Sequence, residues 1–183
     1  MGQAITALAT LGAVLVGAAG TYVVGRLGDR ERFTRELQIR WDQRRLDAYV
    51  AYISAVKSAG IVANQVHKRR IGGASEDDLD VLLRQLEEFE VRRADLFEVL
   101  PLLADGPTIE AAHELNHAVW ELEHPARQGV KLDEEAWFAV ADKWITALNS
   151  FHFAARSGLN VPGRFSRRDT AALVVARPER ANL

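Results

Sequence analysis

The sequence contains no cysteine, and this absence excludes several kinds of chemistry at once. Disulfides, thiolate metal ligands, thiol nucleophiles and lipid anchors attached to cysteine all require a thiol.

Proline is also sparse, with five in 183 residues. No stretch alternates strictly between apolar and polar residues, which is the pattern of a half-buried strand. The sequence therefore predicts an all-α protein.

Charge is absent from the first 25 residues, MGQAITALATLGAVLVGAAGTYVVG. A helix of that length is about 37 Å long, enough to cross a hydrocarbon core of about 30 Å with some tilt. We therefore predict a transmembrane helix over residues 1–25. A cleaved signal peptide is the alternative, because residues 16–18 (Val-Gly-Ala) would suit cleavage, although no basic segment precedes the apolar run.

Basic residues follow this uncharged segment directly, and no charged residue precedes it. The positive-inside rule then places the amino terminus outside the cell membrane and the carboxy-terminal domain in the cytoplasm. Small residues recur every four positions from Ala9 to Thr21, a pattern that would allow two anchors to pack closely. The residues expected at the membrane interface are Tyr22, Arg26, Arg30 and Arg32.

The middle of the chain is strongly acidic. Residues 76–135 contain seventeen acidic and five basic side chains, whereas residues 1–75 contain eleven basic and five acidic ones. An acidic centre would repel phosphate, so nucleic acid is not expected as a partner. We expect instead that basic outer segments pack beside acidic middle ones.

Helical periodicity and helix-ending residues predict an antiparallel bundle of four helices, the first continuing from the transmembrane helix. Ser75 and Asp133 are expected to cap the second and fourth helices. The second helix is expected to end or kink near Pro101, and the third to end before Pro125. The predicted helices cover about 26–71, 76–100, 107–124 and 133–157. The remainder, 159–183, is a basic tail that is partly flexible or forms one short helix over 166–176.

Apolar stripes at helical spacing predict the core. One basic residue, Arg93, interrupts the stripe of the second helix. Three tryptophans are expected to be buried: Trp120, Trp137 and Trp144. The stripe of the first helix consists of Leu46, Tyr49, Ile53, Val56, Gly60, Ala63 and His67.

The stretch RWDQRRLDAYVAYISAV, residues 40–56, follows the uncharged helix and its basic neck. In this arrangement the chain resembles a loose group of uncharacterised actinobacterial single-pass membrane proteins with a helical cytoplasmic domain. The resemblance covers about the first third of the chain. It implies architecture only, because the group has no established activity.

Residues 113–117 read HELNH, the HExxH spelling of zinc metallopeptidases. In such a site His113 and His117 would bind zinc and Glu114 would be the general base, with a third protein ligand completing the site. The metzincin extension does not fit, because it needs glycine at position 120 and histidine at 123, where the chain has Trp120 and Glu123. The alternative interpretation places these histidines at the boundary between the apolar and charged faces of an amphipathic helix.

We therefore expect a non-enzymatic scaffold or interaction module at the inner face of the membrane, without cofactor. Its expected partners are the lipid bilayer, an unknown protein and a second copy bound through the anchor or the long helix. A membrane-bound zinc hydrolase using HELNH is the alternative function.

Overall fold

The structure, a computed structural model, describes the backbone of residues 2–167 and the side chains of residues 32–167. Its helices are α1 (Gly2–Ile71), α2 (Glu76–Leu103), α3 (Gly106–Gln128) and α4 (Glu134–Gly158). No residue between 2 and 167 lies in a β-strand, so the predicted all-α class is confirmed. The chain forms two compact units, residues 1–43 and 44–183, with the boundary inside α1.

Helix α1 contains a segment that is long and apolar enough to span a membrane. Among the residues with described side chains this segment is Arg32–Ile71, and 44% of its most apolar stretch is buried inside the protein. A core helix of a soluble protein has the same length and composition. The side chains of the predicted span over 1–25, and of Tyr22, Arg26 and Arg30, lie outside the described residues.

The predicted helix caps are confirmed. The Ser75 hydroxyl accepts a hydrogen bond from the Asp78 N–H, and the Asp78 carboxylate accepts one from the Ser75 N–H at 3.2 Å. Asp133 likewise accepts from the Ala136 N–H at 2.8 Å. These bonds satisfy backbone donors that have no partner inside the helix and thereby fix where α2 and α4 begin.

The end predicted before Pro125 was wrong, whereas α2 does end near Pro101 as predicted. Pro101 lies inside α2, which continues to Leu103, and Pro125 lies inside α3, which continues to Gln128. Near a helix end a proline removes one hydrogen bond, and tertiary contacts can offset that loss. In α3 the residues after Pro125 supply those contacts, because Ala126 is buried and the Arg127 guanidinium donates to the Leu86 carbonyl. The helix ends instead at Gly129, whose φ of 70° favours glycine.

Within the second unit the helices pack as an antiparallel bundle. The Tyr49 ring on α1 meets Phe151 on α4, and further along α1 the backbone of Gly60 lies under the Trp144 ring. A side chain at position 60 would collide with that ring, so glycine allows the close approach of α1 and α4. On α2 and α3 the order is also reversed, since Phe97 meets His113 and Arg93 meets Glu123.

Most of the predicted core is confirmed, with two exceptions. Trp137 and Trp144 are buried at 5% and 3% exposure, but Trp120 is 50% exposed. Leu46, the first residue of the predicted α1 stripe, is 44% exposed. The fully buried large side chains are Tyr52, Val56, Val66, Leu79, Leu86, Leu100, Leu115, Leu122, Glu123, Ile145, Leu148 and Phe151.

Candidate functional site

Three of the HELNH residues, His113, Glu114 and His117, lie on an exposed face of α3. The side chains of His113 and Glu114 are exposed. The His113 ring packs edge-on against Phe97, with 4.9 Å between centroids, and His117 Nδ1 lies 3.7 Å from a carboxylate oxygen of Glu121. Within the described part of the chain, no group of three or more His, Cys, Asp or Glu side chains is placed to hold a metal ion.

An exposed aromatic row continues from this motif along α3. Trp120 stacks on His124, with 4.8 Å between ring centroids, and lies 6.4 Å from the His117 ring. Next to the row, Lys143 of α4 donates a hydrogen bond to Glu121 at 3.1 Å. The predicted position of the histidines at the flank of the core face agrees with this arrangement. Trp120 is exposed because it lies on the same flank, where its ring packs on imidazole rings.

A buried polar network links three helices inside the core. The Arg93 guanidinium donates to Glu123 at 3.1 Å and to the Asn116 side-chain oxygen at 2.8 Å. The same Asn116 oxygen accepts a hydrogen bond from the Tyr52 hydroxyl at 2.9 Å. A polar cluster of this kind fixes the helices in one register, because a shift of any helix would leave charged atoms unpaired in the core.

Burial dominates the electrostatics of this network. Glu123 is 1% exposed, and loss of hydration raises the pKa of its carboxyl although the neighbouring Arg93 acts in the opposite direction. Burial raises the pKa of the Tyr52 phenol as well, with Arg93 again opposing it. We assign this network to the stability of the bundle.

An apolar groove opens between α1 and the carboxy-terminal end of α4. Its volume is about 560 Å³. We call it the α1–α4 groove, and it is lined by Leu46, Tyr49, Val50, Ile53, Ser54, Lys57, Ser58, Ile61, His152, Ala155, Arg156, Leu159 and Val161.

Large apolar side chains in this groove remain in contact with solvent. Val50 is 58% exposed, Ile61 47% and Val161 41%, and Leu46 is exposed to a similar degree. Those on α1, Leu46, Val50 and Ile61, lie on a single face of the helix. Ile53 and Lys57 complete this face, at spacings of three and four residues. A continuous apolar surface of this kind is typical of an interaction site.

The charged groups at the groove are all basic. None of the thirteen lining residues is acidic, and Lys57 and Arg156 lie among them. Arg156 donates to the Pro162 carbonyl at 3.0 Å. The half-buried Lys57 has no hydrogen-bond or ion-pair partner among residues 32–167. The groove therefore favours an apolar occupant that carries a negative charge near Lys57.

The sequence pattern placed Leu46, Tyr49 and Ile53 in the core and did not reveal the groove. Leu46 and Ile53 belong to a stripe with regular helical spacing, but periodicity does not show which part of a stripe is covered by another helix.

The sequence did contain a signal for the buried network, since Arg93 interrupts an apolar stripe. Its partner Glu123 lies thirty residues away on another helix.

The comparisons with known proteins return no relative. No protein-family model, no curated protein and no solved structure matches this chain. The likeness to actinobacterial membrane proteins stays a prediction, and any function must be argued from the chain itself.

Proposed function

We propose that the protein is a membrane-anchored, non-enzymatic interaction module whose helical domain lies at the inner face of the cell membrane. In this proposal the domain binds a protein partner through the α1–α4 groove. The observation that carries the proposal is the open apolar surface of that groove, where Val50 and Ile61 remain about half exposed. Apolar surface left in water favours association, because a partner that covers it releases the surrounding water.

Membrane attachment is supported by the length and composition of α1 and by the uncharged first 25 residues. The basic neck after residue 25, in which Arg32 is exposed, supports an orientation with the domain on the cytoplasmic side. Self-association through the anchor or the long helix is part of the same proposal, since α1 offers small residues in its first part.

Fractionation of cells that produce the full chain tests the location. We expect the protein to stay with membranes after carbonate extraction, and its domain to resist protease in intact spheroplasts until they are permeabilised. Intact mass should show residues 1–25 retained. A soluble mature chain that begins after Ala18, or a domain cut in intact spheroplasts, would contradict the proposal.

Photocrosslinking in the same cells tests the groove. A benzophenone amino acid at position 50 should give one discrete adduct, and the adduct should be lost when Ile53→Asp places a carboxylate in the groove. Val91 on α2 is the matched control, because it is a valine with the same 58% exposure outside the groove. Equal adducts from positions 50 and 91, or an adduct that survives Ile53→Asp, would show that the groove does not select a partner.

A further inference from the structure

We propose that the groove is covered by the carboxy-terminal segment of the same chain, residues 169–176, which competes with the partner for this surface. Only the competition with a partner rests on the function proposed above. The contact itself is supported by the place where the described chain ends, by the reach of the residues that follow and by their chemistry.

The chain after α4 already runs along the groove. Asn160, in the left-handed region with a φ of 52°, reverses the chain at the end of the helix. Leu159 and Val161 line the groove on either side of this turn. Phe165 then packs against His152, another lining residue, with 5.9 Å between ring centroids. The described tail therefore leaves α4 as part of one wall of the groove.

The last described residue lies level with the middle of the groove. Arg167 and Phe165 line a second depression, whose other wall includes Ile145 and Asn149 of α4. These α4 positions fall between Trp144, which lies over Gly60, and Phe151, which meets Tyr49. Because α1 and α4 are antiparallel, Arg167 is level with the stretch of α1 that holds Ile53 and Lys57.

The remaining chain is long enough to reach α1. Ala171 is four residues beyond Arg167, and an extended chain covers about 3.3 Å per residue, roughly 13 Å in total. Packed helices are separated by about 8–10 Å. The segment that follows Arg167 can therefore cross from α4 to the groove without unfolding any helix.

The chemistry of the segment matches the groove. Residues 171–176 read AALVVA, an uncharged apolar run, and Asp169 precedes it by two positions. The run would cover the exposed side chains of Val50 and Ile61. Asp169 would supply the negative charge favoured by Lys57, which has no charged partner among residues 32–167. A basic residue stands on each side of the segment in the sequence, Arg168 before it and Arg177 after it.

Engineered disulfides test the contact in the full chain, which offers a background free of native cysteine. Val174→Cys is combined with Ser54→Cys or with Ser58→Cys, both at groove positions, and oxidised at micromolar protein in detergent. We expect at least one pair to form an intramolecular disulfide, seen by intact mass and peptide mapping, at many times the yield of the control pair Val91→Cys and Val174→Cys. No groove disulfide, or only disulfide-linked dimers, would overturn the proposal, and dimers would identify a second copy as the occupant.

A charge exchange tests the role assigned to Lys57. Lys57→Glu should lower the yield of the groove disulfide by about two- to fivefold, the range for one partly exposed ion pair. Adding Asp169→Lys to that variant should restore the yield. An unchanged yield in Lys57→Glu, or no recovery in the double variant, would contradict the pairing.

Accessibility separates this inference from the proposed function. In the single variant Ser58→Cys, the rate of maleimide labelling should rise several-fold when Leu173→Asp and Val174→Asp break the apolar run, and an unchanged rate would overturn the inference. The crosslink from position 50 should increase in the same background if the segment and the partner compete. Groove disulfides without any partner adduct would support the contact of the segment with the groove and contradict the proposed function. A partner adduct without groove disulfides would contradict the segment contact alone.

Discussion

The substitution Arg93→Met tests whether the buried ion pair has the electrostatics that its burial implies. In the folded protein the Arg93 guanidinium bonds Glu123 at 3.1 Å, and the two side chains are 8% and 1% exposed. Removal of the arginine leaves a carboxyl in the core without its positive partner. Breaking one side of a buried pair costs about 3–5 kcal/mol. At about 3 °C per kcal/mol for a domain of this size, the midpoint of thermal unfolding should fall by roughly 10–15 °C.

The pH dependence of this loss gives the sharper test. Burial already raises the pKa of the Glu123 carboxyl, and Arg93 is the largest opposing influence. Without Arg93 the pKa rises further, so the folded variant favours the protonated carboxyl and takes up a proton on folding. Stability is then present below the ordinary glutamate pKa and is lost as pH rises through the folded value. The deficit of the variant against the native chain should therefore shrink on acidification, by at most about 1.4 kcal/mol per pH unit.

Urea unfolding followed by circular dichroism, at pH 8 and pH 5 in the same detergent, measures the deficit. Arg84→Met is the matched control, because Arg84 pairs with Asp80 at 2.9 Å on the surface and both side chains are more than half exposed. That control should lose less than about 1 kcal/mol at either pH. The double variant Arg93→Met with Glu123→Leu should recover most of the stability. Equal losses in Arg93→Met and Arg84→Met, or a deficit that grows on acidification, would refute the reasoning.

Three further results are expected. Gly60→Ala should lower the free energy of unfolding, measured in urea, by about 1–2 kcal/mol. The new Cβ would lie 2.6 Å from Trp144 Cη2, and the resulting strain of about 1–3 kcal/mol outweighs the higher helix propensity of alanine. Gly106→Ala, where no atom lies within 4 Å, should not be destabilising, and equal losses would refute the close contact. Burial lowers the pKa of His67, so the native chain should lose stability as pH falls from about 6.5 through the folded value, and a calorimetric pH series should show this loss removed in His67→Phe. Elemental analysis of the purified chain should find no stoichiometric zinc, and zinc that is lost on His113→Ala would support the hydrolase alternative.

The sequence predicted those helix boundaries that depend on local chemistry. Ser75 with Asp78 begins α2, and Asp133 begins α4, because a side-chain oxygen satisfies backbone donors within three residues. The end assigned to Pro125 failed for the opposite reason. Contacts from other helices extend α3 beyond its proline, and a local rule does not contain those contacts.

The candidate groove was not predictable from periodicity. Leu46 and Val56 share one apolar stripe, but only Val56 is covered, since the bundle ends before the stripe does. Trp120 likewise has core spacing and packs on His124 at the surface. Which neighbour covers a helical face depends on the packing of distant segments, and the pairing of Arg93 with Glu123 shows the same dependence for charges.

The four tryptophans divide into two optical classes because of the way α1 and α4 approach each other. Trp137 lies flat against His67, with rings 6° from parallel, and Trp144 lies over Gly60, while Trp41 and Trp120 remain about half open to solvent. Iodide added to the native chain should thus quench the emission of the open pair and spare the enclosed pair. The emission that remains unquenched then reports the packing of α1 against α4, and no attached dye is needed.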